Sequence, residues 1–247
     1  GNSGWNISAL VTRDLYWVGG TGDWNDPNHW SLSSGGASAG CTPNRLDNVF
    51  FDANSLGAGD TVYLPHLEQY AGDLTVNGVT GSPTFFGDYI TLYGSLDLNH
   101  QMNWRLYQTH LRSPRTGSIL RTTGTPFMYL TYGDSCWYTL QDSLYAEWIY
   151  QQNGNVDYNG QNVNTRLLSG YPAAQAITTN STFYLKDMYF DGTFIGSGTT
   201  DIIFDKGPAY CRNNRASQFR NMYFIERGFL SDSVTVASLV AAVAVLA

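Results

Sequence analysis

Charge is scarce in this chain. Asp, Glu, Lys and Arg make up 13% of its 247 residues, and the Ala/Glu/Lys/Arg-rich runs that build long helices are missing. That excludes a mainly helical fold. Basic residues are fewer still, 13 against 20 acidic ones, for a formal net charge of −7. Nucleic acid is excluded as a partner on that ground, because binding phosphates needs a basic face. The sparse basic stretch Arg105, Arg112, Arg115 and Arg121 reads as solvated edges of repeated units, ahead of the alternative of a polyanion site.

Cysteine is rare as well. Cys41, Cys136 and Cys211 lie far apart and form no CxxC or Cys/His spacing. An odd number excludes complete internal pairing, and buried free thiols are expected ahead of one long-range disulfide. Long apolar runs are absent until Ser233–Ala247, which is too short for the roughly twenty residues a spanning helix needs. That run is expected to pack on the body or on a neighbouring subunit, with no membrane span. Gly1 to Ile7 lacks the basic start and apolar core of a signal peptide.

Catalytic signatures are missing too. There is no GxSxG and no HExxH, and GGTGDW lacks the Lys-Ser/Thr that completes a phosphate loop. The histidines His29, His66, His100 and His110 show no metal spacing. His29 is expected beside Trp30, and the others facing solvent. Sugar-cleaving solenoids need paired carboxylates. Asp88 with Asp97, or Asp134 with Asp142, are the pairs to look for after folding, but turn aspartates explain them equally well. The chain is read as no enzyme.

What is abundant is aromatic and turn-forming: 15% Phe, Trp and Tyr, with 26 glycines. From about Asp73 the chain is a series of short extended runs, such as DLTVNGV (Asp73 to Val79), YITLYGSLDL (Tyr89 to Leu98) and STFYLKDMYF (Ser181 to Phe190). Most alternate apolar and polar residues at period two, the mark of a strand with one buried face. Ile90 and Leu92 fall out of phase with Leu96 and Leu98, so Gly94-Ser95 is expected to turn a corner. Asn77-Gly78 and Asn159-Gly160 are hairpin signals and favour an antiparallel β-sandwich. Against that, LTVNG, ITLYGSLDL, YTLQDSLYAEWI and VDYNGQNV recur in series, as stacked coils require. The expectation is one all-β domain. A Trp/Gly-rich cap covers Gly1 to Asn54, a right-handed parallel β-helix or solenoid follows to Leu230, and an apolar segment fills 231–247.

The opening carries YWVGGTGDWNDPNHWSLSSGG, then PNRLDNVFFDANS from Pro43 to Ser55; LYGSLDL and WYTLQDSL come later. These words resemble a module repeated in very large surface proteins of Bacteroidota-type bacteria and in virion proteins of some phages. GNSGWNIS, with Trp5, resembles that module's closing signature. The resemblance covers most of Gly1 to Leu230 and departs at the final apolar run. It implies an extended β-rich building block for display or adhesion, extracellular on a virion or bacterial cell surface. Its implied partners are other protein subunits of the assembly. It brings no catalytic residues.

Two constellations in the opening are candidate sites. Trp17, Trp24 and Trp30 would make a platform for stacking a host glycan, or else a lid over the end of the coils. The lid is preferred, with Gly19, Gly20 and Gly22 supplying backbone conformations closed to other residues. Asp23, Asn25, Asp26 and Asn28 are spaced like a calcium loop, with Asp47 and Asp52 as further ligands. Asx-turns explain the same letters, and no other cofactor is expected. A third candidate is the polar-aromatic stretch Tyr145 to Asn164, either a binding strip or Asn-rich turns at coil corners.

Overall fold

A strand of three or four residues cannot bury its apolar side alone, so each short run needs a neighbour. In the computed structural model, which describes residues 11–226, 228–241 and 245–246, that neighbour is the equivalent run one coil further on. Leu15, Val49, Leu74, Leu96, Leu120 and Leu140 lie in register, each on the one before, and form the first wall. Leu144, Val163, Phe183, Ile202 and Met222 do the same in a second wall. Ile90, Thr109, Leu130, Ile149, Leu168, Met188 and Cys211 run down a third. The chain visits the second, third and first walls in turn, making a β-solenoid of about 8 turns. Each coil takes roughly twenty residues, the short end of solenoid periods.

The sandwich alternative is ruled out by strand direction. Every ladder between coils is parallel. Among the described residues, antiparallel pairing is confined to the cap, at Tyr16–Ser31, Trp17–Trp30 and Ser31–Ser38. The Asn-Gly pairs do reverse the chain locally, with φ of 85° at Gly78 and of 50° and 70° at Asn159 and Gly160. They turn corners rather than hairpins. Leu144–Asp157 and Asn162–Ile177, on either side of Asn159-Gly160, run parallel around all three walls. Gly94-Ser95 is the expected corner, between Leu92 on the third wall and Leu96 on the first.

The stack does not stop at Leu230. Gly228–Ala241 pairs in parallel with Ala209–Phe224, so the start of the apolar run adds a further layer, and Val236 packs against the core. Residues 242–244 and 247 of that run lie outside the described residues, as do Trp5 and the GNSGW signature. Among the described residues no helix is long and apolar enough to cross a membrane.

An aromatic spine ties the opening to the coils. Trp30 meets Phe51 at 5.9 Å, Phe51 meets Phe85 at 4.9 Å, Phe85 stacks on Trp104 at 4.9 Å, and Trp104 reaches Phe127 at 5.5 Å. Leu15 and Trp17 are the first rung of the first wall, so the cap is continuous with the solenoid.

Candidate ligand-binding cleft

Trp17, Trp24 and Trp30 are 0%, 1% and 0% exposed, so the glycan-stacking expectation for them is corrected: no ring face is open to a sugar. They pack at right angles to one another, Trp17 to Trp30 at 5.1 Å and Trp24 to Trp30 at 4.9 Å. The Trp17 indole donates to the Gly20 carbonyl at 2.7 Å and the Trp30 indole to that of Trp24 at 2.8 Å. Gly19 and Gly20 have φ of 91° and 71°, as expected. Gly22 is needed for a different reason: a Cβ there would sit 2.0 Å from His29 Nε2. The His29 ring stacks on Trp17 at 4.6 Å rather than beside Trp30.

The Asp/Asn cluster folds as Asx-turns. Asp23 Oδ1 accepts from the Asn25 amide at 2.7 Å, and Asp26 Oδ1 from the Asn28 amide at 2.9 Å. Asp52 likewise accepts from Asn54, while Asp47 is buried and joined to Arg13 at 2.5 Å. Among the described residues no three His, Cys, Asp or Glu gather in a group that could hold a metal ion.

The candidate carboxylates are held by different partners. Asp88 meets His66 and Asp97 meets Arg121, while Asp134 meets Arg112 and Asp142 accepts from the Thr122 and Thr123 amides. Arg112, Arg115 and Arg121 are thus not merely solvated: they bond to Asp134, Asp73 and Asp97 on other coils. His110 is half-buried rather than solvent-facing. Burial and the nearby Arg112 hold its pKa below the ordinary histidine value, against the pull of Glu68.

A well-formed cleft lies elsewhere, along the corner between the second and third walls. There the chain bends without breaking the strand, as in Thr84–Leu92, Asn103–Leu111 and Leu144–Asp157. Successive coils place Tyr107, Met128, Glu147, Arg166 and Lys186 at this bend, one each, because the flanking residues pair in register. The resulting cleft has a volume of about 1000 Å³. Its aromatic side is Tyr107, Tyr145 and Trp148, with Tyr107 and Tyr145 50% and 43% exposed. Trp148 stacks on Tyr129 at 4.4 Å, and Tyr129 lies 4.8 Å from Tyr107.

Its polar side is basic. Arg105, Arg166, Lys186 and Lys206 line it, against the single carboxylate of Glu147. Arg166 lies over the Trp148 ring at 5.9 Å and 3.5 Å from Glu147, poised between stacking and ion pairing. Lys206 is pinned: its Nζ donates to Asn164 Oδ1 at 2.5 Å and to the Thr165 carbonyl at 3.0 Å. Burial lowers its pKa, partly offset by Asp205 and Glu147.

Of the sequence candidates, Tyr145, Trp148 and Asn164 from the polar-aromatic stretch reach this cleft. Sequence reading missed Tyr107, Arg166, Lys186 and Lys206, which come from separate coils. The signal available was that the chain has two lysines, and both line the cleft. No protein-family model, curated protein or solved structure matches the chain.

Proposed function

We propose that this chain is a non-catalytic structural and adhesive module, a rigid solenoid displayed on a virion or bacterial cell surface. The observation that carries the reading is the outward aromatic column of Tyr107, Tyr129 and Trp148. Large rings already held by their neighbours offer contact area at little further cost in side-chain entropy. Stacked coils supply the stiff wall on which such a column stands. The resemblance of the opening motif to surface and virion modules supports the location.

The cleft favours a second reading, a carbohydrate-binding or depolymerising module of the tailspike kind. Hydrolysis of glycosidic bonds usually uses two carboxylates, and the cleft lining carries Glu147 alone. Antibodies raised against the chain, applied to intact particles or cells of its source, test the primary reading. Regular labelling of the outer surface is expected. Labelling only after lysis, or release of new reducing ends from capsule polysaccharide by the purified chain, would overturn it.

A further inference from the structure

We infer that the corner cleft binds a segment of an acidic polysaccharide, with sugar rings on Trp148 and Tyr107 and carboxylate or sulfate groups on Arg105, Lys186 and Arg166. This deepens the adhesive reading and rests on it. Elsewhere the chain pairs its arginines with aspartates on other coils: Arg115 with Asp73, Arg121 with Asp97, Arg212 with Asp191, and Arg220 with Asp201. At the cleft the habit breaks. Among the described residues, Arg105 and Lys186 have no ion pair, and Arg166 shares its single acidic neighbour with a tryptophan face.

Among the described residues, a protein of net charge −7 thus gathers two unpaired cations, Arg105 and Lys186, in this cleft and puts both its lysines there, while Arg45 is exposed and unpaired alone outside it. Arg166, Lys186 and Lys206 sit on successive rungs, at the spacing of about 4.8 Å between paired strands, and Arg105 lies three rungs before Arg166. A long acidic chain lying along the stack would meet one after another. Rings on the earlier coils and cations mostly on the later ones share the same lining, and a sugar acid offers both an apolar CH face and an anion. The volume, about 1000 Å³, stands at the upper end for ligand sites and suits several sugar units. Nucleic acid fits less well. Its dense phosphates would be repelled by a chain of net charge −7.

Titration of the purified chain with hexagalacturonate, a heparin hexasaccharide, maltohexaose and oligodeoxythymidylate tests the inference. One of the two acidic sugars is expected to bind, more weakly as salt rises, and maltohexaose to bind at least tenfold more weakly. Which acidic sugar wins distinguishes carboxylate from sulfate recognition. Lys186→Ala and Arg105→Ala should each weaken binding about tenfold, and Trp148→Ala should abolish it, with unchanged circular dichroism. Arg45→Ala removes an exposed arginine outside the cleft and should change nothing. No binding of either acidic sugar, equal losses in Arg45→Ala and Lys186→Ala, or tighter binding of oligodeoxythymidylate would overturn it. Surface labelling without sugar binding defeats the site alone. Sugar binding without surface labelling defeats the display reading alone.

Discussion

Phe51 and Phe85 stand edge to face, their ring centroids 4.9 Å apart and their planes at 62°. Phe51 also lies within 5.7 Å of Trp17 and 5.9 Å of Trp30, so one ring links the indole cluster to the first full coil. Phe51→Ala should therefore lower stability by about 4 kcal/mol, the range for truncating a buried aromatic. It should also expose the tryptophans. Urea unfolding checks the first effect. Acrylamide quenching of native tryptophan fluorescence, higher in the variant than in the parent, checks the second.

A part-buried ion pair, with Asp47 inside and Arg13 a third exposed, anchors the cap from the other side. Burial alone would raise the pKa of the Asp47 carboxyl. Hydrogen bonds from Arg13 and the Asn44 amide, with the guanidinium charge, outweigh it and hold the pKa below the ordinary aspartate value. The unfolded chain therefore takes up the proton first as pH falls. The pair's contribution is complete above the unfolded pKa of about 3.9 and is lost as pH drops through the lower native value. Asp47→Asn should flatten the acid limb of a stability–pH curve measured by urea unfolding. At pH 7, Asp47→Ala should cost about 2 kcal/mol, since it removes the buried acceptor of the Arg13 guanidinium and the Asn44 amide.

The thiols separate by burial. Cys136 and Cys211 lie in the core, where burial pushes each pKa up to about 12, while Cys41 is half-buried near Arg13. One cysteine per chain should react promptly with a thiol reagent in the native state, and all three after denaturation. Mass spectrometry of the labelled peptides should place the fast site at Cys41.

Gly87 marks where the second wall bends into the cleft. Its φ is 150°, and a Cβ there would lie 1.8 Å from the Leu64 carbonyl oxygen of the coil below. Backbone cannot yield as a flexible side chain can. Gly87→Ala should cost about 2 kcal/mol or more, read from the urea midpoint.

The sequence made the coils legible because burial and period two leave the same mark in every rung, as in Leu74, Leu96 and Leu120. It also made the burial of the tryptophans legible, since glycine turns with large rings need burial to hold a shape. Parallel pairing was harder to read. Asn159-Gly160 has the same backbone demand at a solenoid corner as in a hairpin, and only the partner strand distinguishes the two. The apolar end was read as packing on the body or on a neighbour, and its start does pack on the body; that it does so as a strand, Gly228–Ala241, shows only in its pairing with Ala209–Phe224. The cleft was hardest. Tyr107, Arg166 and Lys186 become neighbours through coil register, and no local spacing records that register.

The central claim is that the stack carries and its corner cleft adheres. Attachment of source particles or cells bearing the Trp148→Ala/Lys186→Ala chain, counted against unaltered ones, tests it most directly. The account predicts normal assembly and surface labelling with attachment reduced tenfold or more. Undiminished attachment by normally assembled particles, or failure to assemble at all, would contradict it.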